Sequence, residues 1–235
     1  MSLPICRVIL PGTVDYRRAW DWQVSLAQAL REGRQPNTLL LLEHPPVYTC
    51  GRLSRPQHLL VAPADLAAAG IDLVETDRGG QITFHGPGQL VAYPVVDLRG
   101  WGGPVKYVRT LEQVIIAALA DFGITAGLNP GVTGVWAGGA KIAAIGVKIS
   151  RGVAWHGFSI NVNTDLSFFD RIVPCGIVGG SVTSMQRLLG RLVDFDAVAE
   201  RVAVRFGEGM GLAVEPCPDR PCPNRPCPNR SRTLR

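Results

Sequence analysis

KIAAIGVKISRGVAWHGFSINV, residues 141–162, reads as two strands joined by a tight turn. Lys141 to Ser150 and Val153 to Val162 are rich in β-branched and aromatic residues, and the Ser150-Arg151-Gly152 junction is a hairpin turn. Working outward, Gly134-Val135-Trp136 predicts one more strand, and Pro104 opens a helix that reaches Phe122 and stops at Gly123. Ile82 to Phe84 and Leu90 to Leu98 are strand-like on either side of a Gly86-Pro87-Gly88 turn. Further upstream, residues 5–10, Leu39 to Leu42, Val47 to Thr49 and Ile71 to Thr76 are extended, and residues 64–69 form a short helix ended by Gly70. Thr13 is placed to cap a helix running to Glu32, with Trp20, Val24 and Ala27 on its buried face. Ser184 to Leu189 and Phe195 to Met210 are the last helices. Strands and helices do not alternate regularly, which predicts an α+β fold: a mixed, largely antiparallel sheet flanked by helices, not a doubly wound one.

The 235 residues are 46% hydrophobic and 18% charged, the composition of a globular core. From Pro216 the chain changes character. Three pentapeptides, PCPDR, PCPNR and PCPNR, fill residues 216–230, and proline at this density forbids helix and sheet. One domain over residues 1–215 and a disordered tail over 216–235 are expected. The tail's five arginines stand against Asp219 alone and hold four of the chain's five net positive charges. A body so near neutral lacks the electrostatic footprint of a nucleic-acid binder. No apolar run approaches the ~18 residues of a membrane span, and the first residues lack a signal-peptide pattern, so a cytoplasmic enzyme is expected. Cys6, Cys50 and Cys175 are scattered through the body, and free thiols follow; the tail cysteines have no zinc spacing, so no metal is expected.

Arg78 to Gln89, RGGQITFHGPGQ, sets one guanidinium and one imidazole among residues that let a ligand approach the backbone. It matches neither a phosphate loop nor a dinucleotide fingerprint. Cys175 lies between Pro174 and Gly176, where a thiol is exposed and the following N–H groups can stabilise an oxyanion; a buried structural cysteine is the equal alternative. Among 24 lysines and arginines only Lys106, Lys141 and Lys148 are lysines. Lys141 begins an apolar strand, where a cation can lower a thiol pKa or a desolvated amine can take its proton. An exposed strand-end lysine is the bland reading, and Lys148 is the weaker candidate. His156 can pair with Cys175 as in cysteine hydrolases, although no spacing singles it out. His44 and His58 sit beside prolines in loops and carry little signal.

Taken together, RGGxxTFHxPGQ at residues 78–89, KIAAIG at 141–146, HGFSIN at 156–161 and PCG at 174–176 resemble the octanoyl-[acyl-carrier-protein]–protein transferase family over about residues 5–212. The resemblance implies the catalytic fold of biotin and lipoate protein ligases, similar to class II aminoacyl-tRNA synthetases. It implies transfer of an octanoyl group from octanoyl-acyl carrier protein, through a thioester on Cys175 assisted by Lys141, to a lysine of lipoyl domains. Those acceptors are the 2-oxoacid dehydrogenase E2 subunits and the glycine cleavage H protein, and no cofactor is implied. The acyl pocket is then lined by Arg78, Gly79, Gly80, Gln81, Ile82, Thr83, Phe84 and His85, by Ala144, Ile145 and Gly146, and by Gly157, Phe158 and Ser159, with His85 shaping the site. The competing readings are an ATP-dependent lipoate or biotin ligase, a non-catalytic acyl- or carrier-binding module, and a cysteine hydrolase.

Overall fold

The computed structural model describes residues 2–173 and 181–217. The chain runs β1 (Ile5–Thr13), α1 (Tyr16–Arg31), β2 (Asn37–Glu43), β3 (Val47–Cys50), α2 (Pro63–Ala68), β4 (Asp72–Glu75), β5 (Ile82–His85), β6 (Gln89–Asp97) and α3 (Gly103–Ala120). It continues through β7 (Gly127–Asn129), β8 (Val132–Ala137), β9 (Ala140–Ser150), β10 (Val153–Asn161), α4 (Met185–Leu189), α5 (Phe195–Met210) and β11 (Ala213–Pro216). Short 3-10 turns lie at Pro56–His58 and Leu166–Arg171.

The hairpin read from the sequence is β9 and β10, with Val153 opposite Ser150. Both loop residues have positive φ, 50° at Arg151 and 79° at Gly152, the twist that two antiparallel strands require of a two-residue turn. Around this hairpin the main sheet has the order β11-β1-β2-β6-β10-β9-β8-β7. Only β1 makes parallel pairs, with β2 and β11; the other five pairings are antiparallel. The fold is α+β with a mixed, largely antiparallel sheet. A second sheet of three strands, β4-β3-β5, stands apart from it. The turn at Gly86-Pro87-Gly88 therefore does not close a hairpin: it carries the chain from the small sheet to the large one, and Gly88 N donates to Glu43 Oε1 at 2.6 Å.

Alternation along the strands sorts the core into layers. On one face, Ala143, Phe158 and Ile160 pack with Leu111 and Ile115 of α3 and Val202 and Phe206 of α5. On the other, Val91, Tyr93, Val153 and Trp155 pack with Tyr16, Leu26 and Leu30 of α1 and with Val47 and Val74 of the small sheet. The small sheet has its own core around Tyr48, Ile82, Phe84 and Phe169. Among the described residues, no helix is long and apolar enough to cross a membrane.

Three local expectations change. Thr13 does not cap α1, because it still pairs with Glu43 in β1; Asp15 is the cap, its carboxylate accepting from Arg18 N at 3.0 Å. Val24 is not buried but 47% exposed. The buried stripe is Tyr16, Ala19, Gln23, Leu26, Ala27 and Leu30, in which a glutamine occupies a core position. Pro216, first residue of the repeats, extends β11 opposite Val8, and Cys217 N donates to Val8 O at 2.9 Å. Cys6, Cys50 and Cys217 are free thiols.

At Gly157 the neighbouring strand β6 approaches so closely that a Cβ would overlap the Ala92 carbonyl oxygen and meet Pro94 Cδ at 2.6 Å. Neither neighbour can swing away as a flexible side chain would. Gly157→Ala should therefore destabilise the fold by about 1–3 kcal/mol, read as a lowered urea midpoint with the slope unchanged.

Candidate active site

Between the two sheets lies a cavity of about 270 Å³. Strand period decides what faces it. Ala144 and Gly146 of β9 and Ser159 and Gly157 of β10 are cross-strand pairs, Ala144 with Ser159 and Gly146 with Gly157. Ala144 and Ser159 point to the α1 side, and with the two glycines, which carry no side chain, they make a trough there. Arg78, Gly80, Gln81, Ile82, Thr83 and His85 line the cavity from the small-sheet side, and Ile145 and Phe158 also border it. Lys141 stands at one end of the trough.

Two expected lining residues are elsewhere. Phe84 alternates away from Thr83 and His85, is 1% exposed, and stacks on Phe168 with ring centroids 4.4 Å apart. Gly79 docks its loop to the sheet, its N–H donating to Val147 O at 2.9 Å. Arg78, expected to offer donors to a ligand, is buried, and directs its guanidinium to Thr49 O at 2.6 Å, Thr49 Oγ1 at 2.8 Å and Gly79 O at 2.9 Å. Cys175 lies outside the described residues. The chain that follows it re-enters at Ser181, whose carbonyl accepts from Lys141 N at 2.9 Å, and Thr183 N returns a bond to Lys141 O at 2.9 Å.

Lys141 is held by what surrounds its stem. Its ammonium donates to Thr133 O at 3.1 Å and lies over the Trp136 ring, 5.1 Å from the centroid. Gly134 makes this possible: at φ 134° it has no side chain where Lys141 Cε passes, and a Cβ there would meet Cε at 2.6 Å and Ala143 O at 2.7 Å. The fully buried carboxylate of Glu112 accepts from Gly134 N at 3.2 Å and fixes that turn of backbone from α3.

A buried amide relay joins Lys141's strand to His85. His85 Nδ1 lies 2.7 Å from Gln89 Oε1; Gln89 Nε2 donates to Phe84 O and to Asn161 Oδ1, and Asn161 Nδ2 donates to Thr183 O. Because Phe84 O can only accept, the Gln89 amide is oriented, and His85 carries its proton on Nδ1. Its Nε2 is left with the lone pair. Burial pushes His85 well below the ordinary histidine range, with the neighbouring His44 and Arg78 acting in the same direction. A neutral, aromatic wall is the result.

Sequence reasoning passed over the ring cluster behind this wall. His44 is fully buried, its Nδ1–H donating to Val14 O at 2.6 Å and its Nε2 accepting from the Tyr93 hydroxyl at 2.7 Å. Burial lowers it to about 4. Tyr16 stacks on His85 and burial raises its hydroxyl to about 12. Tyr16 and Tyr93 both line the cavity. Neither tyrosine belongs to the motifs; the signal available was Tyr16 at the start of the buried stripe of α1.

His156 is the strained member. It has φ 55°, and in this left-handed region a side chain other than glycine costs roughly 1–2 kcal/mol. Parity with Ala154 and Phe158 would turn its ring toward α3 and α5. Instead the ring packs on Trp20 and Tyr93 and its Nε2–H donates to Asp77 Oδ1 at 2.7 Å. The break in alternation falls in a gap in the pairing with β6, between Ala154–Val96 and Phe158–Ala92, with the register the same on both sides; Pro94, in the gap, has no N–H to give the ladder. Gln23, the buried polar residue of α1, holds it open by accepting from His156 N at 2.8 Å. His156 is therefore engaged with Asp77, not poised as the free base of a hydrolase. Lys148 is 3.0 Å from the other Asp77 oxygen. The His156 hydrogen bond, followed by that of Lys148, brings Asp77 down to about 2 despite partial burial. His156 itself is lowered, chiefly by desolvation, so it stays neutral.

The model of the lipoyl protein ligase A/B catalytic domain family matches residues 15–207. The chain belongs to that family. An octanoyltransferase of Gloeobacter violaceus is 48% identical, the alignment covering 90% of this chain and 93% of that protein. An octanoyltransferase of Rubrobacter xylanophilus is 50% identical over 86% of this chain and 92% of its own length. Among solved structures, a bipartite lipoate protein ligase from Thermoplasma acidophilum has a TM-score of 0.69 at 18% identity, covering 92% of this chain and 87% of that one. At that identity the likeness is one of fold.

The three buried histidines make stability pH-dependent. His44, His85 and His156 are all lowered in the folded state, so the unfolded chain binds their protons first, near pH 6.5. Their contribution is complete above that pH and is lost as pH falls toward the folded values, about 4 for His44. With His44 and His85 still neutral in the folded chain, these two alone should give a slope of about 2–3 kcal/mol per pH unit near pH 5.5, to which His156 adds in the same direction. Urea unfolding at pH 7.5, 6.5 and 5.5 checks this; a flat profile contradicts three neutral buried imidazoles.

Proposed function

We propose that this protein is an acyltransferase that moves an octanoyl group from octanoyl-acyl carrier protein to a lysine amine of lipoyl domains in protein lipoylation. The acceptors are the lipoyl domains of 2-oxoacid dehydrogenase E2 subunits and the glycine cleavage H protein. The observation that carries this reading is the near-50% identity to octanoyltransferases over most of the chain. The small-residue trough ending at Lys141 supports it from the side of the chemistry.

In the first step the Cys175 thiolate attacks the thioester carbonyl. The carbon–sulfur bond to the carrier breaks, and the departing thiolate takes a proton that Lys141 supplies. An octanoyl thioester remains on Cys175. In the second step the acceptor lysine's amine attacks that carbonyl, its proton passes to Lys141, and the Cys175 thiolate leaves. Exchange of one thioester for another is nearly balanced, and formation of the amide makes the second step downhill, so ATP is not needed. Covalent catalysis of this kind gives ping-pong kinetics. What favours Cys175 as nucleophile is its place in the chain: six residues on, Ser181 pairs with the backbone of Lys141. In the trough, about six buried methylenes contribute roughly 5 kcal/mol to acyl binding.

The ATP-dependent ligase shares the fold, but the solved ligase is only 18% identical, far below the octanoyltransferases. Intact mass spectrometry after mixing with octanoyl-acyl carrier protein should show one octanoyl adduct, mapping to Cys175, without ATP. Cys175→Ser should remove the adduct and lower transfer by at least about 10³-fold. Lys141→Ala should lower it by about 10²–10⁴-fold. An adduct elsewhere, or turnover only with free octanoate plus ATP, would overturn the reading.

A further inference from the structure

The cavity has a defined inner end. Along β9 its lining stops at Gly146, and along β10 it stops at His156; Val147, Lys148 and Trp155 lie outside it. From Lys141 to Gly146 is five residues, about 16 Å at the strand rise. An extended octanoyl chain, with seven carbon–carbon bonds of about 1.5 Å, spans at most about 10 Å. The lysine side chain at one end and the His156 ring at the other occupy the remainder. Val147, the residue paired with His156, lies outside the cavity, and the next pair along the trough is Gly146 with Gly157, so no other side chain of the hairpin closes it there. The residue is 1% exposed; its ring is backed by Trp20 at 5.7 Å and fastened by Asp77, and its backbone N–H is held by Gln23. Its inverted backbone is what brings it into the trough at all.

We propose that His156 is the specificity-determining residue of acyl transfer: its ring is the stop against which the methyl end of the chain abuts, and it limits the chain to about eight carbons. This rests on the reading of the protein as an octanoyl transferase and adds to it a residue outside the chemical steps. The test is His156→Gly, which suits a positive φ better than histidine and opens the trough toward Trp20. Two further methylenes then enter, each worth about 4-fold in binding, so the kcat/KM ratio of decanoyl to octanoyl donor should rise by about 15-fold over the unsubstituted protein. His156→Asn, also tolerant of this backbone and shorter than histidine, should give a smaller rise in the same direction and serves if the glycine variant does not fold. A decanoyl-to-octanoyl ratio within twofold of the unsubstituted value, in whichever variant folds with unchanged circular dichroism, overturns the proposal. Equilibrium binding of free octanoic and decanoic acids reads the same ratio without turnover. A protein whose binding ratio shifts but which transfers no octanoyl group sinks the proposed activity and leaves the chain-length stop standing.

Discussion

The inverted backbone of His156 is the constraint on which the arrangement of the site depends. One residue of β10 leaves the alternation of its strand, and three residues from two elements hold it there: Gln23 of α1 through the backbone N–H, Trp20 of the same helix by packing, and Asp77 of the loop before β5 through the ring. The same Asp77, with Gly79 bound to Val147, docks the Arg78–Gly80 loop onto the hairpin. A local strain is thus balanced by the contacts that join the small sheet to the large one. The cavity exists because the two sheets meet in this way.

At the opposite end the means differ. Lys141 is fixed by backbone and by a missing side chain at Gly134, with the buried Glu112 anchoring that glycine from the far face of the sheet. Between the two ends, most polar atoms of the ring cluster turn back into the protein: His85 to Gln89, Tyr93 to His44, His156 to Asp77. The rings are left to offer carbon surface. A slot built of histidines and tyrosines can then accept a hydrocarbon, because desolvation keeps the imidazoles neutral and at least one hydrogen bond to each imidazole holds it in place.

Much of this was legible in the sequence where local rules govern. The 141–162 hairpin and the helix from Phe195 to Met210 follow from period and turn chemistry, while the trough residues Ala144, Gly146, Gly157 and Ser159 come only with the family resemblance. What escaped was set by contacts distant in the chain. Gln23 looks like a surface position until His156, 133 residues away, requires an acceptor. His44 sits beside two prolines, yet its burial is decided by Val14 and Tyr93. Thr13 was a reasonable cap until β1 ran through it to pair with Glu43. Phe84 belonged to a binding motif by position, but strand parity gave it to the core with Phe168.

The borders of the large sheet carry their own consequence. One flank is β7, three residues long; the other is β11, four residues long and closed by Pro216, which has no N–H to donate. Such stubs give a neighbouring chain little ladder to extend, so an eight-stranded sheet is shielded against edge-to-edge aggregation by the shortness of its outermost strands.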